Sequence, residues 1–372
     1  MNARVLVGLV FASLAALLAG LSGQSAPAAV WRHVLFAMGV MPLILGAMLY
    51  FIPVLTRSAP ARGVVLFLPV AAFVLGVCVV LALHHRPTLL PGIAAAALLV
   101  VALQIAWAWR RRARSFGTPH PGLDWYLFAL IALVVALTLI VARALWPEQW
   151  AVTRVLHLHL NLFGFLGLTA VGTLRVLLPT ALGEQDAQAL PFLRSQLPFA
   201  VGGAVLVAVG AAFWTPAAAA GAAAWAWPTL VMLRALAHYR RPWRASDGAG
   251  FVLAAAGGGW LLVLAAGLAH GYGLVGADGA LALLLYLFLL PLVTGASSHL
   301  LPIWRWPGRV TPAHAAMRAR LTAFGGLRVA AFWASAALTL AGAAFAPFPA
   351  ALALAGYLLQ VSTAFVRVRT AA

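Results

Sequence analysis

The sequence predicts an all-α polytopic membrane protein of about twelve transmembrane helices, and three observations carry that prediction. Hydrophobic residues make up 65% of the 372 positions and charged residues 8%, with a mean hydropathy of +1.02, a balance suited to lipid and not to water. Apolar runs long enough to cross roughly 30 Å of hydrocarbon recur along the whole chain. These runs are rich in Ala, Leu and Gly and lack strand alternation, so each must satisfy its own backbone as a helix.

The runs fall near residues 4–21, 30–54, 64–84, 90–109, 123–146 and 151–179, then 196–214, 217–237, 249–270, 279–302, 323–345 and 347–366. The first resembles a signal sequence with Arg4 before it, yet further spans follow at once, and it reads as span one. The longest connections, 180–195 and 303–322, are too short to fold alone, so residues 1–372 form a single integral membrane domain. The lone cysteine, Cys78, lies mid-span and offers no disulfide framework and no thiolate knuckle.

Basic residues number 24 against 6 acidic ones, and all of them are arginine. They sit in short loops between apolar runs, not on one face of a folded module, which argues against nucleic acid as a partner and for the lipid bilayer. With the N-terminus inside, only Arg32, Arg86, Arg143 and Arg154 fall outside, and Arg175 and Arg328 lie within span ends. The other eighteen, including Arg110–Arg114, Arg240, Arg241, Arg244, Arg309 and Arg369, collect in the cytoplasm. The positive-inside rule therefore places both termini in the cytoplasm of a bacterial inner-membrane protein. Trp31, Trp146, Trp150, Trp243, Trp304 and Trp306 fall where an aromatic belt would lie.

A repeat is legible inside the helices. His33, Gly46 and Pro53 of span two recur as His159, Gly172 and Pro179 of span six, and Gly295 with Pro302 repeats the tail in span ten, where Ala282 replaces the histidine. With 34 Gly and 22 Pro, a bare Gly-to-Pro match would arise by accident roughly twice. The added histidine makes the match informative. It predicts three pseudo-repeated four-helix arcs, about 1–120, 121–245 and 246–372, with spans two, six and ten facing the interior.

Topology then sorts the ten histidines. His33, His84, His85, His157, His159 and His270 fall toward the periplasmic face, where neutral imidazoles would bind copper, zinc or haem iron. The alternative is that span-end histidines bond to water, carbonyls or headgroups, and His84 and His85 beside Arg86 suit that reading. His157 and His159 are about 200° apart around a helix and cannot share one centre. The repeat favours His33 with His159 as the inward pair and leaves His157 to a second partner or the headgroup region. Asn161 either orients an imidazole or joins helices. Gly164, Gly167 and Gly172 permit either close helix contact or a flat cofactor. Arg175 pairs with a carboxylate or cofactor propionate, or snorkels to the headgroups. His120, His238 and His314 read as cytoplasmic loop residues, and His299 lies near the cytoplasmic end of span ten. All six carboxylates, Asp124, Glu148, Glu184, Asp186, Asp247 and Asp278, fall at span ends or in loops, which argues against a proton-coupled carrier.

The string His157-Leu-His159-Leu-Asn-Leu-Phe-Gly164-Phe165, followed by Gly172 and Pro179, resembles the signature of the NnrS family of haem- and copper-containing membrane proteins. Leu160 stands where that family carries an acidic residue. More remotely, the plan resembles the haem-copper oxidase subunit I fold, with three four-helix arcs and metal-bearing second, sixth and tenth helices. Span seven has no histidine and span ten only His299, so the resemblance implies the architecture without oxygen reduction. It implies a haem or copper site near the periplasm at His33, His157 and His159, with His33 and His159 as the axial pair for a haem.

Together these readings give candidate metal ligands His33, His157, His159 and His270, and candidate cofactor contacts His33, His159, Asn161 and Arg175. The expected role is a haem- and/or copper-binding protein in respiration, nitric oxide stress or metal handling, partnered by respiratory-complex subunits or a periplasmic electron carrier. The rival is a metal-free accessory subunit or small-solute permease, and the lack of buried carboxylates favours the accessory subunit.

Overall fold

A computed structural model describes residues 3–24, 26–237, 248–308 and 310–367. Among them are no strands, and twelve helices are long and apolar enough to cross a membrane. They run Arg4–Ser22, Ala28–Leu55, Gly63–His85, Pro87–Ala113, Gly122–Ala142, Pro147–Ala181, Ala189–Phe213, Thr215–Leu236, Ala249–Gly271, Ala277–Arg305, Pro312–Leu340 and Pro347–Arg367. His238, Arg240, Arg241, Trp243, Arg244, Asp247, Arg309 and Arg369 lie outside the described residues.

Two connections differ from the sequence expectation: residues 189–195, expected as loop, begin the helix Ala189–Phe213, and a second difference follows span ten. Residues 312–322, expected as loop, form a helix, Pro312–Thr322. Pro312 pre-sets its first turn, and a capping box closes around Thr311 and His314. The chain then breaks at Ala323 (ψ 135°) and Phe324 (φ 62°) before the helix Gly325–Leu340 begins. The amphiphilic composition of the first piece hid it, because apolar runs were the signal being counted.

The chain divides into two compact units, Met1–Thr173 with Gln188–Pro228, and Leu174–Ala187 with Thr229–Ala372. In the first unit, span one packs on span two, with Gly20 against the Leu35 side chain. Span six packs on span five through Gly164 and Gly172. A Cβ on Gly164 would lie 2.6 Å from that of Ala132, and one on Gly172 would lie 2.9 Å from the Trp125 side chain. At those two positions the glycines serve close helix contact. In the second unit, spans nine and ten are in intimate contact at Gly259 and Leu287.

Spans two, six and ten share a feature that no other span shows among the described residues. Each contains a π-helical stretch: Val34–Val40, Leu160–Gly167 and Leu284–Leu289. When Pro53, Pro179 and Pro302 are aligned, the three wide turns fall at matching positions. Proline supplies a cause in two of them, since it lacks an N–H and its ring crowds the carbonyl four residues back. Pro42 and Pro291 each stand two residues beyond a wide turn. In span two, Ala37 O would look to residue 42 in a π register and finds proline. Gly76 of span three presses against it, and a Cβ there would lie 2.5 Å from that oxygen. In span ten, Gly259 presses against the Leu287 carbonyl. An uncapped carbonyl in hydrocarbon costs several kcal/mol, and a close Cα–H contact recovers part of that. Buried residues fill 89%, 78% and 56% of the apolar windows of spans six, ten and two, the highest shares of the twelve.

The aromatic expectation is met unevenly. Trp146 is exposed, and Arg143 lies over the Trp150 ring at 4.4 Å. Trp31 and Trp304 are instead buried inside the protein, so they pack the interior and do not join an interfacial belt.

Candidate functional site

His33 ends the first helical turns of span two, and its Nδ1 lies 2.7 Å from Ala29 O. His157 of span six reaches across to span five, with Nδ1 2.8 Å from Ala136 O. His159 turns back on its own helix, Nδ1 2.8 Å from Val155 O, and its ring is parallel to Phe163 at 6.1 Å. A carbonyl oxygen only accepts, so each Nδ1 carries the proton and each Nε2 carries the lone pair. That is the tautomer in which imidazole ligates a metal through Nε2, with the backbone carbonyl fixing ring orientation.

His33 and His157 stand on different spans, the second and the sixth. Both belong to the first unit and both are half-buried. His159, two residues on from His157, projects about 200° away around the helix axis.

Asn161 does not orient an imidazole. Its side-chain amide donates to His157 O at 2.7 Å and lies 3.5 Å from His157 Nδ1, whose proton is already committed to Ala136. Asn161 therefore supplies a donor to a carbonyl where the wide turn of span six begins. Ala136 O performs the orienting task, and no side-chain pattern in a sequence marks a backbone carbonyl.

His270 belongs to the second unit, where its Nδ1 donates to Val275 O at 2.9 Å. Arg175, also of that unit, forms an ion pair with Asp186, and both side chains are buried. Of the fates open to Arg175, the carboxylate is the one observed. Asp186, a loop residue in the sequence reading, is thereby drawn inside. His84 and His85 are exposed and meet edge to face at 4.7 Å.

His314 is a further correction. It is 2% exposed, its Nδ1 accepts from the Thr311 N–H at 3.0 Å, and its Nε2–H donates to Trp306 O at 2.9 Å. Both ring nitrogens are spent on structure. His120, between spans four and five, accepts at Nδ1 from the Gly122 N–H, and its own N–H donates to Leu55 O. Burial, then Arg194, then Arg57 depress its pKa below the usual imidazole value.

Among the described residues, no three His, Cys, Asp or Glu side chains gather as a metal-holding group. The available donor set is two imidazoles, His33 and His157. Two neutral imidazole nitrogens are donors of the kind that copper takes. No protein-family model matches the chain, and no curated protein matches it in sequence.

Proposed function

We propose that the chain is a bacterial inner-membrane protein that binds copper, or haem, through His33 and His157 on the periplasmic side of its first unit. The observation that carries this reading is the pair of imidazoles on different spans, each with its Nδ1 proton tied to a backbone carbonyl and its Nε2 lone pair available. The arginine bias supports the orientation, with both termini in the cytoplasm. A bound copper or haem iron would supply one-electron chemistry. This chain's own residues contribute ligands and a fixed ring orientation from Ala29 O and Ala136 O. Such a centre serves respiration, nitric oxide defence or metal handling, with a periplasmic electron carrier or respiratory-complex subunits as partners.

The test is an optical spectrum with metal analysis of the purified protein. Stoichiometric copper, or a Soret band, that disappears in His33→Ala and in His157→Ala supports the reading. Metal-free protein after expression with copper and haem supplied removes it.

A further inference from the structure

The second unit carries a buried positive charge that nothing above explains. Arg328, in the helix Gly325–Leu340, is 4% exposed. Its Nη1 donates to Gln360 Oε1 at 3.1 Å, and Nη2 reaches Leu321 O only at 3.5 Å. The guanidinium carbon stands 4.4 Å over the Tyr357 ring. Nε, equally buried, has no hydrogen-bond partner among the described residues, and no carboxylate pairs with the side chain there.

The surroundings are polar and share the same sign. Gln360 is aimed by its own donation to Ala323 O at 3.0 Å, which holds Oε1 toward Arg328. Ser298 Oγ lies 3.1 Å from both Leu321 O and the Tyr357 hydroxyl, so Ser298 and Arg328 meet at one carbonyl. The next residue, His299, is 4% exposed, its Nδ1 has no hydrogen-bond partner among the described residues, and Arg318 lies within electrostatic range.

A guanidinium in a membrane span, offset only by an amide, a distant carbonyl and a ring face, is an incomplete ion pair. Its five N–H donors exceed the acceptors supplied. We infer that Arg328, with Gln360, Tyr357 and Ser298 around it, is a binding site for one small monovalent inorganic anion, of the chloride or nitrate class, at the arginine-rich end of spans ten to twelve. One guanidinium sets the valence. Near-complete burial sets the size, because a phospholipid headgroup would have to stay continuous with the bilayer surface. The Arg328 Nε–H is the charged donor left over, since Ser298 donates to the Thr294 and Leu321 carbonyls and the Tyr357 hydroxyl meets Ser298 Oγ. A purely structural arginine would make the protein indifferent to anion identity.

The experiment uses the full chain in nanodiscs of zwitterionic lipid, exchanged into gluconate at constant ionic strength and titrated with chloride or nitrate while thermal unfolding is followed. A saturable rise in Tm is expected, weakened at least tenfold in midpoint concentration in Arg328→Gln. Gln360→Glu, which places a carboxylate beside the guanidinium, is expected to raise Tm in gluconate and to abolish the anion response. If neither anion gives a saturable rise, or if Gln360→Glu responds like the parent, the assignment is overturned. Should Arg328→Gln fail to fold, the Gln360→Glu arm decides alone. A response that appears only when anionic phospholipid is added assigns the charge to a headgroup and also overturns the inorganic anion.

Discussion

The imidazole of His157 donates its Nδ1 proton to the carbonyl of Ala136, 2.8 Å away on the neighbouring span. That bond fixes the ring across two helices, fixes the tautomer, and leaves Nε2 as the only nitrogen able to ligate. Replacement of either His157 or His33 by alanine removes half of a two-imidazole donor set. Bound metal is therefore expected to fall below one tenth of the parental occupancy in each variant, measured by elemental analysis after identical purification. His159→Ala, which loses a ring held by its own helix against Phe163, is expected to keep most of the metal.

Gly76 presses on the carbonyl that Pro42 leaves without a partner. A side chain there would have to displace backbone, since its Cβ would lie 2.5 Å from Ala37 O. Gly76→Val is expected to lower stability by about 1–3 kcal/mol, the usual range for overpacking, in denaturant unfolding in detergent. The exposed glycine Gly63, with open space around it, also has φ +70° and is a poor control. Gly92, with open space and no such angle, is the proper one.

Arg175 and Asp186 form a buried ion pair. Removal of one partner strands the other charge, which typically costs about 3–5 kcal/mol. Asp186→Asn is expected to be the most destabilising single carboxylate change in the chain, and Arg175→Met with Asp186→Leu together is expected to recover much of the loss. Equal destabilisation by the single and the double variant in urea unfolding would contradict this account of the pair.

His120 has a depressed pKa in the folded protein, caused first by burial and then by Arg194 and Arg57. The unfolded chain, with an imidazole near pH 6.5, takes up a proton first as pH falls. Stability from this group is thus complete above about pH 6.5 and declines as pH drops from there through the lower folded value. His120→Gln is expected to flatten that part of the stability profile, seen by comparing unfolding midpoints of parent and variant from neutral to mildly acidic pH. An unchanged difference between the two across that window would contradict it.

Much of the fold was legible because membrane spans write themselves as long apolar runs. The second helix, expected at 30–54, runs Ala28–Leu55, and the ninth, expected at 249–270, runs Ala249–Gly271. Pro312–Thr322 was missed because it is a short polar helix started by a proline and a capping box, a signal carried by few residues. The site was legible in part. Residue type, topology and the repeat pointed to His33 with His159 as the inward pair and left His157 to a second partner; that this partner is Ala136 O was not legible, because main-chain acceptors leave no mark in side-chain identity. Asn161 was read as either orienting an imidazole or joining helices, and its place four residues after His157 is what lets it bond the His157 carbonyl instead. Arg328 was visible only as an arginine inside a span. Its want of a carboxylate emerges when Gln360, Tyr357 and Leu321 are seen around it.

The central claim is a metal held between His33 and His157. It is tested most directly by the copper-to-protein ratio of the His33→Ala/His157→Ala double variant, set beside His84→Ala/His85→Ala, which alters only exposed imidazoles at the same end. The account predicts near-stoichiometric copper in the exposed-pair variant and almost none in the other. Equal ratios in the two proteins would contradict it.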